Sequence, residues 1–128
     1  MSNKTFVYAS VQKEGYHNFP ESATLPQFAT GDEYDVSHLA HRHFHYFYIK
    51  VWVQVTHHNR NIEFIQLRRW LDRFYGNETL EFGAKSCEMI ADELTQTLSS
   101  MYPKSEIRVD VSEDNINGAY SEYVPITA

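Results

Sequence analysis

The stretch His41–Thr56, HRHFHYFYIKVWVQVT, decides the fold. From Phe47 the odd positions read Phe47, Ile49, Val51, Val53, Val55, and the even positions from Phe44 read Phe44, Tyr46, Tyr48, Lys50, Trp52, Gln54. A period of two in β-branched and aromatic residues predicts a central sheet strand from about His43 to Thr56. Successive side chains alternate faces, so His41, His43 and His45 share the face of the Phe47–Val55 apolar stripe. The strand carries core residues at one end and imidazoles at the other, as a metal site at the mouth of a sheet requires.

Working outward, Lys4 to Val11 alternates loosely and reads as a first strand, and the pattern can be followed to Tyr16-His17. Periodicity is lost over residues 18–40, where Pro20, Pro26, Gly31 and the acids Asp32, Glu33 and Asp35 predict a long irregular loop: a lid, a binding loop or a mobile surface segment. Beyond the central strand, His57 to Asn61 is a polar turn. From Ile65 the period turns helical, with Phe64, Leu67, Leu71 and Phe74 on one stripe and Gly76 as the stop. Asn77 to Lys85 reads as a short connection. Ser86 caps a second helix whose apolar stripe is Cys87, Ile90, Ala91, Leu94, Leu98 and Met101, with Pro103 ending it. Ile107, Val109 and Val111 mark a half-buried strand, Asn115 to Gly118 a turn, and Ala119 to Val124 a last strand. The order ββααββ predicts one α+β domain over residues 1–128: an antiparallel sheet with two helices on one face.

Composition narrows the function classes. A hydrophobic share of 42% argues against disorder, and a formal net charge of −6 argues against nucleic acid as a partner. Arg60, Arg68, Arg69 and Arg73 form a cluster suited to one phosphate or to salt bridges. A single cysteine, Cys87, excludes an intramolecular disulfide. No leader and no apolar run of membrane-spanning length is present, so the expected location is cytoplasmic, without a membrane partner.

His41-x-His43 is the sharpest chemical signal. Histidines at i and i+2 of a strand point the same way, roughly 6.5–7 Å apart at Cα, and can converge on one ion. His17, at the end of the first strand, is the best third ligand, and a water would complete an open tetrahedral site. His45, one step deeper, reads as a partner of a ligand, a proton carrier or a satisfied half-buried imidazole. His57 is either a second proton carrier or an exposed turn residue. Glu113, ending a strand, can accept two N–H bonds from a pterin- or purine-like ring, or is a solvated turn acid. Glu88 sits where a helix dipole favours any acid. Cys87 reads as packing rather than nucleophile.

Four segments in order resemble the T-fold (tunnelling fold) enzymes, in particular the 6-pyruvoyltetrahydropterin and 6-carboxytetrahydropterin synthase family. Gly15-Tyr16-His17 is similar to that family's first-strand zinc histidine. His41-Arg42-His43-Phe44-His45 looks like its His-Gly-His strand start. Ile62-Glu63-Phe64-Ile65-Gln66-Leu67 resembles its strand-to-helix step. Ser86-Cys87-Glu88-Met89-Ile90-Ala91, followed by Val111-Ser112-Glu113-Asp114, resembles its Thr-x-Glu helix and its late Glu-Thr strand. The resemblance implies zinc (Zn2+) on His17, His41 and His43, a ring anchored by Glu113 with Glu88 near it, and sheets joined edge to edge in a homo-oligomer. Two features depart from it. The cysteine that precedes the family's strand-two histidines is missing, and Asp72-Arg73 stands where an Asp-His pair would, with an arginine that cannot shuttle protons. Two functional readings follow: a zinc-dependent enzyme resembling the pterin and 7-deazapurine pathway lyases, with His45 or His57 moving protons, or a protein that sequesters a nucleotide-derived ligand without turning it over. A histidine-rimmed structural oligomer is the plain alternative.

Overall fold

The computed structural model describes residues 3–126. In chain order the elements are β1 (Thr5–His17), β2 (His43–Val55), α1 (Phe64–Tyr75), β3 (Leu80–Gly83), α2 (Cys87–Met101), β4 (Ile107–Glu113) and β5 (Asn117–Tyr123). They form an α+β domain around one five-stranded sheet, ordered β3-β1-β2-β4-β5.

β1 and β2 are each thirteen residues long and pair antiparallel along their whole length, from Thr5 opposite Val55 to His17 opposite His43. β4 pairs antiparallel with the middle of β2, placing Glu113 opposite Phe47, and β5 returns antiparallel on β4. One face of this sheet supplies Ala9, Val11, Phe47, Ile49, Val51, Val53, Ile107, Val109 and Val111 to the core. Both helices cover that face, α1 over β1 and α2 over β4 and β5. They contribute Leu67 and Leu71 from α1, and Cys87, Ile90, Ala91, Leu94 and Leu98 from α2. The two stripes recur every three or four residues, as an apolar helical face must.

The helix starts follow local chemistry. Ser86 accepts from the Met89 N–H at 3.1 Å, and Glu63 caps α1 by accepting from the Gln66 N–H at 2.7 Å. At the other end of α1, Lys13 reaches from the core face of β1. Its Nζ donates to Asp72 Oδ1 at 2.5 Å and to the Gly76 carbonyl at 2.7 Å. Asp72 is therefore engaged in holding the helix end.

The purely antiparallel sheet expected from the sequence is corrected here. Residues 80–83, expected within a connection, form β3, which runs parallel to β1 against Gly15–His17 and makes the sheet mixed. Four residues are too few to show a period, but Phe82 packs its ring against Phe47 at 4.9 Å between centroids and so recruits the segment to the sheet. The loop over residues 18–40 is partly ordered by two 3-10 turns, Pro20–Ala23 and Ser37–Ala40. Among the described residues no helix is long and apolar enough to cross a membrane.

Two substitutions test this packing. Leu94 is fully buried beneath the sheet, so Leu94→Ala is expected to cost about 2–5 kcal/mol, read from urea denaturation. Gly118 pairs with Ser112, and a Cβ there would collide with the Val111 carbonyl oxygen and the Ser112 backbone. Gly118→Ala is expected to destabilise by at least ~1 kcal/mol, within the range for overpacking, and to lower hydrogen-exchange protection in β4 and β5 first.

Candidate metal centre

Strand register assembles a cluster at one end of the sheet. His43, His45 and Phe47 occupy alternate positions of β2 and share a face. His17 lies directly across from His43, and Glu113 directly across from Phe47. One ligand atom from each of His17, His43, His45 and Glu113 lies within 4.8 Å of the others, so the group can hold a metal ion. The three imidazole centroids form a compact triangle: His17 to His43 4.6 Å, His43 to His45 4.9 Å, His17 to His45 5.4 Å. His17 is buried and the other three are half-buried. Phe47, with no exposed surface, closes the floor edge-on to His17 and His45.

Each ring is held from behind. Nδ1 of His17 donates to the Lys85 carbonyl at 3.0 Å, and Nδ1 of His43 donates to the His41 carbonyl at 2.8 Å. Nδ1 of His45 donates to Asp114 Oδ2 at 2.6 Å. Carbonyl and carboxylate oxygens only accept, so all three Nδ1 atoms carry the hydrogen and a neutral ring keeps its lone pair on Nε2. Nε2 of His17 sits 2.7 Å from Glu113 Oε1, and Nε2 of His45 sits 3.4 Å from Glu113 Oε2. Both Nε2 atoms are buried without a well-formed hydrogen bond. Lone pairs facing a carboxylate repel; a proton or a cation has to lie between them.

The protonation pattern agrees. Burial opposes charge on His17, but the Glu113 carboxylate against Nε2 and the Lys85 carbonyl on Nδ1 favour the protonated ring, outweigh it and raise the ring above its ordinary 6.5. His43 is lowered, mainly by burial and also by its two imidazole neighbours. The His17 ring against it, and then the other nearby imidazoles, hold Glu113 below its ordinary 4.5.

No protein-family model matches the chain, and no curated protein matches it. The site therefore stands on its own geometry.

That geometry sorts the residues singled out in the sequence. His17, His43 and Glu113 come together, joined by His45, which is itself one of the four that could hold an ion. His41 does not. β2 begins only at His43, and His41 lies exposed in the bend before it, contributing its backbone carbonyl. Arg42 stacks on Tyr16 and pairs with Glu81 of β3, directing the chain across the opposite face. The i, i+2 pair of the site is thus His43 and His45. His57 is exposed beyond the far end of β2, roughly 40 Å away at ~3.3 Å per residue, so it moves no proton here. Glu88 is exposed on the first turn of α2, outside the group. Cys87 borders the site, its thiol 3.8 Å from Glu113 Oε1. Burial and the neighbouring carboxylates push that thiol up to about 12.

The signs of these shifts give a pH test on metal-free protein. A raised His17 stabilises below 6.5 and loses that contribution as pH rises through its folded value. A lowered Glu113 stabilises above 4.5 and loses its contribution as pH falls through its folded value. His43 acts in the opposite sense to His17, so the pair is isolated by difference. The stability gap between wild type and Glu113→Gln is expected to be widest between about pH 4.5 and 6.5 and to narrow on either side, measured by urea denaturation.

Proposed function

We propose that this is a zinc-binding protein of T-fold type, in which His17, His43 and His45 hold the ion and Glu113 orients a pterin- or purine-derived heterocycle beside it. The observation that carries the reading is the pair of buried, unpartnered Nε2 atoms of His17 and His45 facing the Glu113 carboxylate. Three imidazoles with a further position open to water or substrate are a zinc set of the catalytic kind, with Zn–N bonds near ~2.0–2.1 Å. When bound, zinc supplies a Lewis acid that polarises a ligand oxygen.

The chain's own residues supply the rest. Glu113 is half-buried at a strand end, so its oxygens can meet ring N–H donors from the solvent side, and its low pKa keeps it ionised to do so. Phe47 beneath the imidazoles keeps water from that side of the site. The synthases' cysteine chemistry has no counterpart: the one cysteine of the chain is buried on α2 with a thiol that stays protonated at neutral pH. This favours a second reading, in which the same site binds its ligand without the synthase reaction. A homo-oligomer is part of the proposal. Among the described residues β1 has no strand beside Thr5–Glu14 on the side away from β2, and β5 forms the other edge, so both edges are open to pairing between copies.

Native mass spectrometry of purified protein, with metal analysis, is expected to show about one zinc per chain in an assembly larger than a monomer. His43→Ala and His45→Ala are expected to lose that zinc, whereas His41→Ala keeps it. Glu113→Gln is expected to retain zinc and lose at least ~10-fold in affinity for a pterin or guanine probe, on the order of one charge-assisted hydrogen bond. Wild-type protein that cannot be loaded with zinc overturns the proposal.

A further inference from the structure

The β4–β5 turn places a second carboxylate behind the cluster. Glu113 and Asp114 are consecutive, and in an extended strand their side chains would face opposite sides of the sheet. The chain leaves the extended conformation at Asp114, where φ is 53°, and Asn115 follows at 59°. Asp and Asn tolerate this left-handed region better than other side chains. The turn is closed by the Ile116 N–H donating to the Glu113 carbonyl at 3.0 Å.

Asp114 is fixed further by Tyr46 on β2. Its backbone N–H donates to the Tyr46 carbonyl at 2.8 Å, and its Oδ1 accepts from the Tyr46 N–H at 3.0 Å. The side chain thus takes the place of a backbone carbonyl in continuing the β2–β4 ladder. With Oδ1 committed to the ladder, Oδ2 is directed at His45 Nδ1, 2.6 Å away. His17 and His43 receive the same support from backbone carbonyls; only His45 among the three depends on a side chain. Asp114 itself stands outside the four converging ligands.

We propose that Asp114 is the positioning residue of the site: it fixes His45 as the Nδ1–H tautomer and aims Nε2 at the ion, so that one tight turn delivers a ligand-facing acid and the acid that orients a neighbouring imidazole. This rests on the proposed zinc site. A carboxylate behind a ligating imidazole sets its tautomer and raises its basicity, and losing such a partner costs about 10- to 100-fold in metal affinity.

The informative variant is Asp114→Gly, because glycine adopts the left-handed conformation without strain and removes only the carboxylate. Asp114→Asn keeps a side-chain acceptor and the same backbone preference. Long-range 1H–15N correlation on histidine-labelled, metal-free protein at pH 8 reads the tautomer of each ring, and chelator competition reads zinc affinity. The expected result is Nδ1–H at His45 in wild type, a shift toward Nε2–H in Asp114→Gly with an unchanged His17 signal, and zinc affinity lower by about 10- to 100-fold, with Asp114→Asn recovering most of both. An Asp114→Gly protein that keeps the Nδ1–H tautomer and wild-type zinc affinity overturns the assignment. Should wild type itself take no zinc, the zinc site falls, while the tautomer in metal-free protein still decides for or against Asp114.

Discussion

The structure depends on one strand pairing. β1 and β2 run antiparallel over their full length in a single register. A slip of one residue would turn every side chain of β2 to the other face, exposing Phe47, Ile49, Val51 and Val53 and burying Tyr46, Tyr48, Lys50 and Trp52. Phe47, Ile49, Val51 and Val53 of β2 keep no exposed surface, and their burial holds that register against slippage. The register that satisfies the core also seats His17 across from His43, with no separate device needed to bring two imidazoles together.

Electrostatics at the strand ends follows from this placement. The hydrophobic face continues under the imidazoles as Phe47, so the four polar groups meet over an apolar floor where charge interactions are screened less than in water. In that setting each polar group is either paired or costly. Backbone carbonyls of Lys85 and His41 and the Asp114 carboxylate pair the outward nitrogens. The inward nitrogens and Glu113 answer one another only if a positive charge joins them. His17 as an imidazolium and a bound divalent ion are alternative solutions to the same arrangement, and they compete for the same lone pair.

Much of the architecture was legible in the sequence. The alternation in His43–Val55, the helical stripes of Leu67–Leu71 and Ile90–Leu98, and the Ser86 cap each carry a local physical signal that the folded chain obeys. β3 was not legible, because Leu80–Gly83 gains its strand character from Phe82 packing on Phe47, a contact between residues distant in sequence. The site was legible to within one strand step. Histidines at 41, 43 and 45 fit the same face equally well, and the choice among them depends on where β2 begins. At that boundary Arg42 stacks on Tyr16 and pairs with Glu81, contacts that no local pattern reveals. Asp114-Asn115 carries a readable sign, since Asp and Asn tolerate the left-handed backbone that such a turn requires, and a turn at these two positions sets Asp114 beside the site.

The proposed ion takes its donors from the last residue of one strand and the first residues of the next, at positions 17, 43 and 45, beside Glu113 at the end of β4. An ion held there would act as a cross-link between chain segments separated by tens of residues, and closing loops of that size costs an unfolded chain much of its configurational freedom. Cargo-like exchange of the ion would then be slow, since no donor belongs to a loop that can swing aside by itself. Release would require the paired strand ends to fray together, so the off-rate of the metal would report on local opening of the sheet rather than on bond strength alone.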